Sequence, residues 1–197
     1  MTKSEKMQEI RKHIVSKLEY LEKKSDTGVG RGIMANLRRG VGKPVGELPE
    51  VWGIVFDKIS PELLGKNQAS NAEWAIYTAL TLYAVHQQGS DTSINQEGIS
   101  LGHASARLIK TEDDTDRILK RLNLVVTAVS PEDLAYRLKE IIQLLKQENI
   151  PLDYAKLAEK LYLFCDEKYA QNVKLQWGRD FWSERNRLEK KESENNG

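Results

Sequence analysis

"SNAEWAIYTALTLYAVHQQ", residues 70–88, decides the fold class. Its first residues read as a helix start: Ser70 is the N-cap, and Glu73 stands three positions on to reach back, a capping box. The run from Trp74 to Gln88 is apolar nearly all round. A helix of that kind has no solvated face, so other helices must surround it, and it forms the core of the first half.

Helical period dominates outward in both directions, and no segment alternates convincingly. The spacing predicts a helix over about 4–24, then a short glycine-bounded one over about 30–39. Pro49 opens a third that ends near Ser60 and Pro61. Residues 88–98 are polar and glycine-bounded, the best candidate for a mobile hinge. Helices follow near 99–110 and 112–128. Ser130 with Pro131 caps the next, whose Leu134, Leu138, Ile141, Ile142 and Leu145 make an amphipathic stripe. Asp153 caps another, with Leu157, Leu161 and Phe164 on its apolar face, and the last runs from about 171 to 190. The expectation is an all-α protein of two stacked helical bundles, with about eight to nine helices. The N-terminal bundle covers 1–90, the C-terminal bundle 99–190, and a disordered tail 191–197.

Bulk composition narrows the function classes. The 197 residues are 40% hydrophobic and 30% charged, with 30 Lys and Arg against 29 Asp and Glu and a net charge of +1. A uniformly basic nucleic-acid binder is excluded, so such affinity needs a local patch. No apolar run approaches the roughly 20 residues of a membrane span, and no secretion signal opens the chain. The single cysteine, Cys165, fits a reducing cytoplasm and reads as a small core residue in "LYLFC".

Against this balance, "GVGRGIMANLRRGVGKPVG" (28–46) carries Arg31, Arg38, Arg39 and Lys43 with no Asp or Glu. It is no nucleotide loop: the glycine spacing is wrong, Pro44 follows Lys43, and no strand precedes it. On a helix Ile33, Met34 and Leu37 fall in one arc. Arg31 and Arg38 project together about 100° from its centre, and Arg39 lies nearly opposite it. Arginine's planar fork suits phosphate, but a solvated face or acids from another helix explain the pattern equally.

A second basic stripe lies in "TEDDTDRILKRLNLVV" (111–126), where Arg117, Lys120 and Arg121 project away from an apolar face, with Arg107 and Lys110 upstream. Asp113 and Asp116 stand four residues before Arg117 and Lys120, the favoured order for helix ion pairs. Arg121 has no such acid, which makes it the cation of this stripe aimed at a ligand. Glu112, Asp113, Asp114 and Asp116 suit the positive end of a helix better than a metal site. The third patch, "NVKLQWGRDFW", sets Lys174 and Arg179 among Trp177, Phe181 and Trp182; base stacking is conceivable, and packing of 177 and 181 onto the bundle is favoured. His13, His86 and His103 share no metal-ligand spacing, and no nucleophile motif occurs. No catalytic residue, metal or cofactor is expected.

Six words in series, "NLRRG", "TALTLYAVHQQ", "GISLGHASARL", "RLNLVVTA", "LKQENIPLDYAKLAEKLYLF" and "VKLQWGRDFW", resemble the CasB-type small subunit of the type I-E CRISPR Cascade surveillance complex. The resemblance runs from about residue 30 to 183. It implies a helical, non-enzymatic, cytoplasmic subunit in antiviral defence, present as two copies beside other Cascade subunits. It also implies contacts with the guide RNA and target DNA, including the displaced strand, so that the R-loop stays open. The family's basic pairs fall on Arg38 with Arg39 and on Lys120 with Arg121, while His103 stands where the family often has arginine. The competing reading is a helical adaptor that binds only protein, its arginines docking on an acidic partner.

Overall fold

The core helix forms as its capping box requires. In the computed structural model, which describes residues 1–195, the Ser70 hydroxyl accepts from the Glu73 N–H at 3.1 Å. The Glu73 carboxylate accepts from the N–H groups of Ser70 and Gly65, both at 2.7 Å. The helix it starts, Asn71–His86, is buried along almost its whole length.

Nine α-helices occur among the described residues: α1 (Lys3–Lys23), α2 (Gly28–Arg39), α3 (Trp52–Phe56), α4 (Asn71–His86), α5 (Leu101–Ala106), α6 (Glu112–Val126), α7 (Pro131–Gln147), α8 (Tyr154–Phe164) and α9 (Glu167–Asn195). No strand accompanies them; a single bridge joins Asn95 to Leu152. The fold is all-α. No described helix is long and apolar enough to cross a membrane.

Helix α4 is packed by α1, α2, α7 and α8, and α1 also lies on α8. The two sequence halves, 1–90 and 99–190, therefore share one apolar core. A bidentate pair reinforces that crossing: Arg11 on α1 donates twice to Glu159 on α8, both at 2.9 Å.

Several boundaries differ from the sequence expectation. The helix after Pro49 is a 3₁₀ turn followed by the five-residue α3; it stops at Phe56, and Lys58 takes the left-handed conformation (φ 58°) that no helix continues through. Helix α5 is only Leu101–Ala106. Helix α9 begins at Glu167, where the Asp166 carboxylate accepts from the Lys168 N–H at 3.1 Å. It then runs through Asn195, into the segment expected to be disordered; "EKKESEN" is rich in good helix formers. Residues 196–197 of that tail lie outside the described residues.

The 88–98 segment is clasped at both ends. The Gln87 amide donates to the carbonyls of Ser90 (3.1 Å) and Thr92 (2.8 Å) and accepts from the Ile94 N–H (3.2 Å). Farther on, Leu152 N–H donates to Ile94 and Gln96 N–H donates to Leu152. Asp153 accepts from the Gly98 N–H at 2.9 Å. The segment expected as a hinge is thus hydrogen-bonded at both ends.

Candidate nucleic-acid interface

Helix α2 is capped by Thr27 and held by Leu37, which is fully buried, with Ile33 and Met34 packed against the core. That anchoring turns Arg31 and Arg38 toward a groove of about 650 Å³ between α2, the end of α1, Tyr83 and the 87–93 wall. Arg31 donates to the Asp26 carbonyl at 2.9 Å. Neither arginine meets a carboxylate within ion-pair distance among the described residues. The two arginines share the groove with three acids, Glu22, Asp26 and Asp91, and Glu22 accepts from the Ser93 hydroxyl at 2.6 Å. Arg39 points elsewhere, 3.9 Å from Glu50. Lys43 pairs with Glu47, one turn on.

In the second stripe the structure supplies partners that local spacing did not show. Arg107 donates to Glu184 on α9 at 2.7 Å, Lys110 lies 3.7 Å from Glu148, and Arg121 lies 3.8 Å from Glu140 on α7. Arg117 binds Asp114 at 2.6 Å rather than Asp113. Asp114 also accepts from the N–H groups of Lys110 and Thr111; with Arg117 as the largest cause, its carboxyl is held down at about 2. The anticipated Asp116–Lys120 pair does not form, so Lys120 is exposed without a carboxylate among the described residues. Of these neighbours, Arg121 leans toward Glu140 with part of its side chain still exposed, and Lys120 faces the solvent.

The third patch splits by burial. Trp177 and Phe181 are sealed in the core, and Trp177 stacks on Phe164 with centroids 6.3 Å apart. Lys174 sits 5.4 Å over the Phe164 ring. Arg179 is exposed with no ion pair among the described residues, and Trp182 is half-exposed.

The remaining reactive groups do not converge. His13 bonds the Val55 carbonyl, His86 the Tyr154 hydroxyl, and His103 lies 4.0 Å from Asp180. Burial pushes the Cys165 thiol up to about 12, far from a nucleophile's range. Among the described residues, no three His, Cys, Asp or Glu gather as a metal set.

Glu184 carries a pH prediction. It accepts from Arg187 through both oxygens (2.8 and 2.7 Å) and from Arg107 (2.7 Å), and these bonds, Arg187's first, lower its carboxyl to about 2. A depressed carboxyl stabilises the fold fully above its unfolded pKa, and the contribution fades as pH falls from about 4.5 toward 2. Glu184→Gln should therefore lose less melting temperature than the unsubstituted protein between about pH 6 and about pH 3. Identical pH profiles would refute the clamp.

The family described as CRISPR-associated protein Cse2 matches residues 33–182. No curated protein matches the chain. Among solved structures, CasB from Thermobifida fusca is 34% identical over 88% of this chain and 97% of its own, with a TM-score of 0.76. CasB from M. ruber is 25% identical over 92% and 97%, TM-score 0.68. A chain of a CRISPR RNA-guided surveillance complex, 17% identical over 92% and 98% with a TM-score of 0.71, shares the fold. A family match across three quarters of the residues and a relative one-third identical along nearly its full length lead to one conclusion: the chain belongs to the Cse2 family of CRISPR-associated proteins.

Proposed function

We propose that the chain is a non-catalytic subunit of a Cascade-type surveillance complex, gripping nucleic-acid backbone without sequence preference and holding the R-loop and its displaced strand open. The observation that carries this is the outward wall of α2. Arg31 and Arg38 project from one helix edge into a groove, and neither forms an ion pair with a carboxylate among the described residues, although Glu22, Asp26 and Asp91 share the lining. Lys120 and Arg179 add exposed cations of the same kind. Contacts to phosphate position a protein without reading sequence, which is what is needed where a guide RNA does the reading. R-loop formation is a near-balanced exchange of one duplex for another, so a few backbone contacts are enough to tip it. The likeness to a surveillance-complex chain supports assembly with other subunits, and the same reading includes a second copy of the chain and the guide RNA.

The test is a triple substitution, Arg31→Ala, Arg38→Ala and Lys120→Ala, with Lys23→Ala and Lys24→Ala as the control. Labelled DNA of unrelated sequences should bind the triple variant more weakly, and all alike. Each phosphate that the variant no longer neutralises flattens the log–log salt slope by ~0.7 on single strands or ~0.9 on duplex. Folding should survive, because surface changes of this kind cost within about 0.5 kcal/mol. If affinity and slope are unchanged in both proteins and in the assembled complex, the arginines dock on protein and the adaptor reading replaces this one.

A further inference from the structure

The outer face of α9 is acid-free over a long stretch. From Lys168 to Arg187 every exposed residue is neutral or cationic: Lys168, Gln171, Asn172, Leu175, Arg179, Trp182, Ser183, Asn186 and Arg187. The two acids of that stretch, Asp180 and Glu184, are turned inward and buried at 9% and 6% exposure. At 1.5 Å per residue the face is about 28 Å long. Leu175, Arg179 and Trp182 stand at i, i+4 and i+7 on it, so they form one ridge. Leu175 and Trp182 are each 50% exposed, an unusual display for two large apolar side chains on one helix.

Trp182 is held, not loose. Its ring meets the buried Phe181 ring edge-on, with centroids 5.4 Å apart and planes at 87°. Phe181 is itself fixed in the core between α5 and α9. A half-exposed indole braced against a buried ring, with an exposed guanidinium one turn away that meets no carboxylate among the described residues, has the chemistry of a base-stacking platform beside a phosphate contact.

We propose that this face of α9 binds an unpaired stretch of DNA, with Trp182 stacking on a base and Arg179 contacting the adjoining phosphate. The occupant is chosen by charge and by geometry. An acid-free cationic ridge opposes an acidic polymer, and an indole face stacks only on a base that is not already stacked inside a duplex. The proposal rests on the nucleic-acid reading above and adds to it a preference for single strands, located at a residue outside the groove.

The experiment uses the full chain and labelled 20-nucleotide DNA, single-stranded and as a hairpin duplex, with an RNA of the same sequence as a further arm. Trp182→Ala should weaken single-strand binding about 5- to 100-fold. Duplex affinity and the salt slope should not change, because no phosphate contact is removed. Trp182→Phe should recover most of the loss. Should Trp182→Ala not fold, Trp182→Leu keeps the apolar bulk without the ring and gives the same comparison. If the unsubstituted protein binds single strands and Trp182→Ala binds them equally well, the stacking platform is wrong while the backbone-binding reading stands. An equal loss on duplex, or a loss confined to RNA, also overturns it. Unchanged DNA binding with failed incorporation into the complex would make this face a protein contact. If neither the chain nor its complex binds nucleic acid, both readings fall.

Discussion

Trp177→Ala is expected to cost about 3–5 kcal/mol, the usual range for emptying a buried tryptophan site. For a chain of this length that is a fall in melting temperature of roughly 10 °C. Trp177 is 1% exposed, and its ring stacks on Phe164 at the end of α8. Its backbone is equally confined: a Cβ at Gly102 would lie 2.2 Å from the Trp177 carbonyl oxygen and 2.8 Å from the Phe181 nitrogen. Helices α5 and α9 thus meet backbone to backbone, and the Trp177 ring packs on Phe164 at the end of α8. A helix already fixed by backbone contact has little freedom to shift and fill an emptied ring site. Gly102→Leu attacks the same seam from the other helix and should destabilise comparably, since the obstructing atoms are backbone. Thermal melts followed by circular dichroism decide it. A Trp177→Ala protein melting within about 2 °C of the unsubstituted one would mean that α9 is not docked as described.

The contrast between Trp177 and Trp182 shows what was legible in the sequence. Positions 173, 177, 181 and 184 share one stripe of a helix, and all are buried. Trp182 lies about 100° from Phe181, so spacing alone separates the packing aromatics from the displayed one. Caps were legible for the same reason: Ser70, Ser130 and Asp153 bond residues three positions on, and local geometry requires nothing from the rest of the fold. Ion pairs were not. Arg107 finds Glu184 across 77 positions, and Arg121 is drawn to Glu140 on the neighbouring helix. An exposed i, i+4 pair is worth only about 0.3–0.5 kcal/mol, so Asp116 and Lys120 are free to forgo it. The acid-free run on α2 was visible as composition. That it lines a groove was not, because the opposite wall comes from residues 87–93.

That wall gives the second large effect, at Asp153. The residue caps α8, accepting from the Lys156 N–H at 2.8 Å, and its other carboxylate oxygen accepts from Gly98 at 2.9 Å. Asp153 itself is only 3% exposed, so both of its charge-assisted bonds are shielded on the carboxylate's side, while the Gly98 backbone lies at the surface. Losing a cap costs ~1 kcal/mol and losing a hydrogen bond to a charged group ~1.5–3, so Asp153→Ala should cost about 2–4 kcal/mol in all. Asp153→Asn keeps one carbonyl acceptor but presents an amide NH₂ in place of the second, and should fall between. The effect should also be local. Gly98, Gln96 and Tyr154 all belong to the clasp, the last through its N–H to the Asn95 side chain at 3.0 Å. Hydrogen exchange in Asp153→Ala should therefore quicken at residues 94–99 and 152–154 well beyond the rise across α9. With that end of the wall released, the 87–93 segment keeps the bonds of Gln87, the Ser93–Glu22 bond and the Lys146–Gln88 bond, and the groove beside Arg31 and Arg38 loses part of what fixes its width. DNA affinity should then drop although no cation has been touched. A uniform rise in exchange, with DNA binding unchanged once the smaller folded fraction is allowed for, would show the clasp to be ordinary core and the groove to be shaped elsewhere.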